Sequence, residues 1–153
     1  MRNDSRLSRM LHVLIHMDRH AGAVTSETLA AMLSTHPVVV RRTMAGLKAA
    51  GYVRSEKGHG GGWALARPLD AITLRDIYQA LGAPQLFAIG LAVDHPECLV
   101  EQAVNGALGE TMREAEGLVL QRFGEVTLGD LARDFDARYG AACGPAGQQS
   151  PSR

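Results

Sequence analysis

Residues 34–68, STHPVVVRRTMAGLKAAGYVRSEKGHGGGWALARP, decide the fold of this 153-residue chain. Their first part predicts a short helix, because Thr35 suits the N-cap, Pro37 suits the first turn and Gly51 supplies a C-terminal stop. At about 100° per residue, this helix has one apolar side and one cationic side. The apolar side holds Val40, Thr43, Met44 and Leu47, and the opposite side holds Val38, Arg41, Arg42, Ala45 and Lys48.

The second part of the same stretch predicts a β-hairpin. Residues 52–56 (YVRSE) and 63–65 (WAL) alternate as strands do, and the run 58–62 (GHGGG) predicts a flexible turn between them. A cationic helix followed by a cationic hairpin is typical of the winged helix-turn-helix, in which the helix fits the major groove and the hairpin reaches a minor groove or phosphates. We therefore predict a mainly α fold with a small β-hairpin wing.

The residues before this stretch predict the remaining helices of a helix-turn-helix. A first helix over about 5–20 has one apolar stripe, and a second helix, capped by Thr25 or Ser26, ends at Leu33. Ser8 and Arg9, near the start of the first helix, could touch phosphates or form part of a solvated surface. The stripe holds Leu7, Met10, Leu11, Leu14 and Ile15.

The residues after the hairpin predict an assembly region. Thr73 caps a helix over 74–81, residues 85–93 (QLFAIGLAV) read as a strand or a buried connector, and a long helix runs over 97–123. A final amphipathic helix reaches Tyr139. We divide the chain into a DNA-binding domain (1–66), a linker and helical dimerisation region (67–140) and a disordered tail (141–153).

Along the long helix, weakly apolar residues recur at alternating three- and four-residue steps. This spacing is that of a coiled-coil seam, and the chain has little else with which to cover it. We therefore predict that it forms a homodimer interface. The stripe consists of Val104, Leu108, Thr111, Ala115 and Leu118.

The net charge is zero, but the two halves of the chain differ. Residues 1–66 hold nine Lys and Arg against four acids, a net of +5, and residues 67–153 hold seven against twelve, a net of −5. This asymmetry favours a half that binds nucleic acid and a half that avoids it. No apolar run approaches the ~20 residues of a membrane span. Two distant cysteines, Cys98 and Cys143, favour a reducing cytoplasm.

The run from Lys57 to Pro68, KGHGGGWALARP, preceded by LKAAGYVRS, resembles the wing of the Rrf2 family of bacterial transcriptional regulators. The similarity extends over residues 5–140. We interpret the protein as a repressor, although the sequence does not give the sign of regulation. The resemblance implies a homodimer that reads a palindromic operator, with helix 37–50 in the major groove and turn 57–62 in the minor groove. It also implies a last helix that returns to the DNA-binding domain, and an effector of unidentified chemistry sensed around residues 85–106.

The chain departs from the family's cluster-binding sensors, which the resemblance implies carry three cysteines between the linker and the long helix. Here residues 90–106 hold one, Cys98, with His95 and two acids nearby. A cluster with one thiolate would be unusual, so we expect no iron–sulfur cluster and no other cofactor. Cys98 is a candidate redox sensor, because a helix N-terminus makes a thiol more easily oxidised. The alternative is a partly buried structural cysteine.

The charged residues have competing interpretations, and the hairpin favours DNA contact over a solvated surface. Trp63 is expected to pack the hairpin onto the domain more readily than to stack on a base. His12, His16 and His20 lie one turn apart, but no acid or thiol completes a metal site. The candidate DNA contacts are Ser8, Arg9, Pro37, Val38, Arg41, Arg42, Lys48, Arg54, Lys57, His59 and Gly60.

The sequence contains no nucleophile–base motif and no phosphate-cradling loop before a helix, so we expect no enzyme. The alternative to a DNA-binding regulator is a winged helix that serves as a protein-interaction module. The charge asymmetry argues against that alternative.

Overall fold

The computed structural model describes residues 4–139, which form six α-helices and one two-stranded antiparallel hairpin. The fold is the mainly helical winged fold with a long C-terminal helix that the sequence predicted. In chain order the elements are α1 (Arg6–Asp18), α2 (Ser26–Leu33), α3 (Pro37–Ala49), β1 (Val53–Glu56), β2 (Gly62–Leu65), a 3-10 turn (Leu69–Ala71), α4 (Leu74–Ala80), α5 (Leu99–Glu125) and α6 (Leu128–Tyr139). The predicted disordered tail, 141–153, lies outside the described residues.

One hydrophobic core joins α1, α2, α3, α4 and the hairpin. On α3 the buried side chains are Val40, Met44 and Leu47, which are three of the four residues predicted for its apolar side. On α1 the buried face is turned slightly from the predicted stripe. Val13 and Met17 are buried with Met10 and Leu14, whereas the stripe residues Leu7, Leu11 and Ile15 are partly buried at the edge of the core.

The helix-turn-helix is fixed by local backbone chemistry. Thr25 caps α2, since its Oγ1 accepts a hydrogen bond from the Thr28 N–H at 3.1 Å. Ser34 ends α2 in the left-handed conformation, with φ of 49°. The cap of α3 is His36, not the predicted Thr35, and its Nδ1 accepts from the Val38 N–H at 3.2 Å. The reason is Pro37 at the first helical position, which drives the residue before it into extended backbone.

The hairpin is anchored to the segment before α2. Its register pairs Val53 with Leu65 and Glu56 with Gly62. Trp63 and Val24 exchange two backbone hydrogen bonds of 2.8 Å each. This close approach requires Gly62, which has φ of 150°, and a Cβ there would lie 2.3 Å from the Val24 carbonyl oxygen.

α4 and α6 begin with similar sequences, TLRD and TLGD, and the two starts are paired. Leu74 N–H donates to the Val126 carbonyl at 3.0 Å, and Leu128 N–H donates to the Ile72 carbonyl at 2.8 Å. Both ends of the 74–126 segment are thereby held at one place on the core. α6 then lies beside α1, where Arg19 pairs with Asp136 at 2.6 Å.

The region between α4 and α5 differs from the prediction. Residues 85–93 are neither a strand nor a buried connector, since they are irregular and Ile89, Leu91 and Val93 are exposed. They lie against α5. α5 itself begins at Leu99, two residues later than predicted, and contains no buried residue. Within residues 4–139, no helix combines the length and apolar character needed to cross a membrane.

Candidate nucleic-acid interface

The outer face of α3 presents an apolar first turn followed by a cationic surface. Val38, Arg41, Arg42 and Lys48 are exposed, and Pro37 is half-buried at the helix start. The buried residues of α3 point to the opposite side, so these side chains project away from the core. If α3 docks on a duplex through this face, its N-terminal turns and its guanidinium groups meet the DNA together.

The cations of α3 are held in different ways. Arg41 forms an ion pair of 2.7 Å with Glu27 of α2, and Lys48 Nζ donates to Ser55 Oγ of β1 at 2.7 Å. Within residues 4–139, Arg42 has no such ion pair or side-chain hydrogen bond. Both partners of the Arg41–Glu27 pair are more than half exposed, so the pair adds little stability and mainly orients the guanidinium group.

The wing carries further polar groups. Arg54 donates to the Leu65 carbonyl oxygen and, at 3.2 Å, to Glu56, so its guanidinium group lies along the hairpin. Lys57, His59 and Gly60 are exposed at the tip. Gly60 has φ of 75°, which is the left-handed conformation that a glycine tolerates without strain.

Other predicted residues occupy different places. Ser8 and Arg9 are exposed on α1, and no hydrogen bond within the described residues joins their side chains to α3 or to the hairpin. Trp63 packs against the core as expected, and its Nε1–H donates to Ser26 Oγ at 3.0 Å. The indole therefore positions the wing instead of facing a ligand.

Two residues that the sequence reading missed are Glu27 and Ser55, which orient Arg41 and Lys48. Glu27 lies in the first turn of α2, fourteen residues before Arg41. Its only sequence signal is a carboxylate on the second predicted helix, which precedes the cationic helix. Ser55 could have been found from strand alternation, because it lies between Arg54 and Glu56 on β1.

The predicted dimer stripe lies on an open face of α5. Val104, Leu108 and Leu118 are 51, 42 and 68% exposed. Thr111 is exposed and Ala115 is half-buried. About 90° around the helix, Asn105 and Met112 face the irregular 85–93 segment of the same chain, and Asn105 Nδ2 donates to the Ala92 carbonyl at 2.7 Å. The described part of the chain therefore covers one face of α5 and leaves most of the stripe exposed.

Cys98 is the N-cap of α5 and is exposed, so it is not the partly buried cysteine of the alternative reading. Its N–H donates to the His95 carbonyl at 2.8 Å. The Glu101 carboxylate accepts from the His95 N–H at 3.1 Å. His12 and His16 lie with ring centroids 4.6 Å apart, and burial is the main cause that lowers the pKa of His16.

This fold and this surface define a winged helix-turn-helix protein. The family model of Rrf2, described as an iron-dependent transcriptional regulator, matches residues 3–134. YwnA of Bacillus subtilis, assigned as an HTH-type transcriptional regulator, is 32% identical over 131 residues, which is 84% of this chain and 95% of that protein. The chain belongs to the Rrf2 family of transcriptional regulators, which are not enzymes.

Solved structures agree on the fold. A transcriptional regulator from Lactobacillus plantarum superposes with a TM-score of 0.73 at 22% identity, covering 90% of this chain and 94% of that one. The IscR protein of T. potens superposes with a TM-score of 0.63 at 19% identity, covering 96% of this chain and 94% of that one. At these identities the likeness shows the fold alone.

The family is described as iron-dependent, so we tested whether the side chains of this chain could bind iron. In the part of the chain that the structure describes, no three His, Cys, Asp or Glu residues are grouped so that they could hold a metal. The window 94–101 supplies one thiol, and Glu101 there is already bound to backbone. These residues do not fit a cluster held by one chain, since such clusters are held by several thiolates.

Proposed function

We propose that this protein is a homodimeric, sequence-specific DNA-binding repressor that reads a palindromic operator. The observation that carries the proposal is the outer face of α3, where exposed guanidinium groups follow an exposed first turn. In a winged helix-turn-helix this face enters the major groove, and the tip around Lys57 and His59 contacts the neighbouring minor groove or phosphates. The residues up to 66 would supply these contacts.

The homodimer is supported by the uncovered stripe on α5. A second copy would place an identical stripe against it, because a two-fold interface joins the same patch on both chains. The weak residues Thr111 and Ala115 allow close approach of two helices. Two DNA-binding faces related by two-fold symmetry would then match two half-sites, which is why we expect a palindrome.

Repression follows from the family resemblance and from the size of such a complex, since a dimer on a promoter blocks access to the bases that it covers. A reporter gene placed behind the bound sequence tests this sign. Expression should rise when the gene for this protein is deleted, and a fall would make it an activator.

Sensing is proposed for residues 85–106. A cavity of about 260 Å³ lies between the linker and α5, and it combines apolar walls with Arg113 and Glu116. Cys98 stands at the start of α5, so a change there would act on the element that sets the distance between the two DNA-binding faces. Peroxide should weaken operator binding by wild type and leave Cys98→Ser unaffected, and an equal response of both would exclude the thiol.

DNA binding itself is tested with random duplex DNA at low salt, followed by selection of bound genomic fragments. The proposal expects non-specific binding that weakens steeply with salt and a selected sequence with two-fold symmetry. The absence of any binding at low salt would contradict it and would favour a protein-interaction module.

A further inference from the structure

Exposed large apolar side chains in the described part of residues 4–66 are confined to the helix-turn-helix. They are Met32 on α2 and two adjacent valines, Val38 and Val39, which are 50 and 52% exposed in the first turn of α3. The next valine, Val40, is buried. Within residues 4–139 Val38 is half exposed and does not belong to the hydrophobic core, so packing in the core does not explain an apolar residue there.

The geometry of α3 sets Val38 apart from Val39. At about 100° per residue, Val38 lies opposite the buried face formed by Val40, Met44 and Leu47, whereas Val39 lies on the flank. Arg42 is one turn further along on the same side as Val38. The His36 side chain accepts the Val38 N–H and Pro37 precedes it, so the first turn is held rigidly.

The chemistry of base edges limits what such a side chain can read. In the major groove the only apolar group on a base edge is the C5-methyl group of thymine. A valine placed against an acceptor or an amino group would remove water from that group without replacing its hydrogen bond. The first turn of a recognition helix is also the part that approaches base edges.

We propose that Val38 specifies a thymine in each operator half-site by packing against its C5-methyl group. This inference rests on the proposed function. Arg41 and Arg42, one turn away, would hold the helix in the groove through phosphate or guanine contacts. Val38 would supply discrimination without any hydrogen bond, and Val39 on the flank would supply none.

The test replaces each thymine of the selected operator, one at a time, by deoxyuridine, which removes only the methyl group. At fixed salt concentration, replacement of one particular thymine in each half-site should weaken operator binding. The expected loss is about fourfold per half-site, which corresponds to the burial of one methyl-sized group. Val38→Ala should bind the thymine and deoxyuridine duplexes equally. Val39→Ala, a matched valine on the same turn, should keep the wild-type ratio.

Both substitutions are at exposed positions, so the melting temperature should stay at the wild-type value and confirm that the variants fold. A selected operator with no deoxyuridine-sensitive thymine would overturn this inference and leave the proposed function intact. A deoxyuridine penalty that persists in Val38→Ala would overturn it as well. Failure to select any operator sequence would overturn both this inference and the proposed function.

Discussion

The winged-helix region and α5 bury their apolar residues in opposite ways. Among residues 4–139, all but one of the buried hydrophobic residues lie between Met10 and Tyr78, and the exception is Leu128 at the start of α6. α5, with 27 residues, has none. The first region closes on itself through contacts within one chain, and the second exposes an apolar stripe over much of its length. The comparison shows that the winged-helix region buries its apolar residues within one chain, whereas α5 leaves an apolar stripe exposed.

The charges of the two regions differ in the same sense. The N-terminal 66 residues carry a net +5 and the remainder a net −5. The winged-helix region carries exposed cations, which suit a polyanion. α5 carries an exposed apolar stripe between acidic residues. This separation is what we expect if the regulator binds DNA with one surface and, as proposed, a second copy of itself with another.

Placing a charge on the α5 stripe should have the largest effect. In a dimer, Leu108→Glu would bury an unpaired carboxylate between two helices. This charge can regain water only if the two chains separate. We expect monomers in sedimentation and loss of operator affinity by a factor of 10² or more, since two half-sites are no longer bound together.

Gln102→Glu is the matched control for that substitution. It adds the same charge to α5 on the side away from the stripe, where Gln102 is exposed and its side chain donates to the Pro96 carbonyl at 2.9 Å. This variant should remain dimeric. Dissociation of both variants would mean that charge on α5, and not the stripe, governs assembly.

Within the winged-helix region, Gly62→Ala should be the small substitution that destabilises the fold most. The new Cβ would lie 2.3 Å from the Val24 carbonyl oxygen, and the backbone there has φ of 150°. We expect a loss of about 2–4 kcal/mol in the free energy of unfolding, measured with denaturant. Gly60→Ala, which meets no atom within 4 Å, should lose only about 1 kcal/mol, the cost of a left-handed alanine.

Removing a cation from the α3 face should affect DNA binding and not stability. Arg42→Ala is expected to weaken operator binding and, for a phosphate contact, to lower the slope of log K against log salt by about 1 per contact. If Arg42 instead reads guanine, preference at one base should relax with the slope unchanged. Arg138→Ala removes an exposed cation from α6 and should change neither quantity. Identical binding by all three proteins would contradict the docking.

The smallest effect is expected at the start of α6. Hydrogen bonds to the Thr127 backbone and hydroxyl, and then Arg133, lower the pKa of the Asp130 carboxyl from 3.8 to about 2. A lowered pKa stabilises the fold above pH 4, and that stabilisation disappears as the pH falls to 2. Asp130→Asn should therefore have a lower melting temperature than wild type at neutral pH. Near pH 2 the two melting temperatures should be the same.

Asp134→Asn is the control for that titration, because Asp134 pairs with Arg138 on the helix surface and caps no backbone. Its melting temperature should follow wild type at every pH. A gap between Asp130→Asn and wild type that stays constant down to pH 2 would remove the cap as its cause.

Local chemistry explains what could be predicted from the sequence. The α3 faces, the Thr73 cap and the winged fold follow from periodicity, capping residues and glycine positions, and each acts within a few residues. The packing of Trp63 followed from the ordinary role of a tryptophan at the start of a wing strand. The DNA contacts and the division of the chain at residue 66 stay predictions.

Features that depend on distant contacts could not be predicted. The α3 cap is an exception, because its signal is local: Pro37 restrains the residue before it, so that His36 and not Thr35 is the N-cap. The 85–93 segment is apolar, and no periodicity tells a buried strand from an exposed face that awaits a partner. The Arg41–Glu27 pair joins two helices whose crossing the sequence does not specify.

Sedimentation of the wild-type protein, alone and with its selected operator duplex, tests the central claim most directly. The account predicts a dimer at micromolar concentration and two chains on each duplex, bound through the α3 faces and joined through the α5 stripe. A monomer at that concentration, or one chain bound per duplex at full affinity, would contradict it.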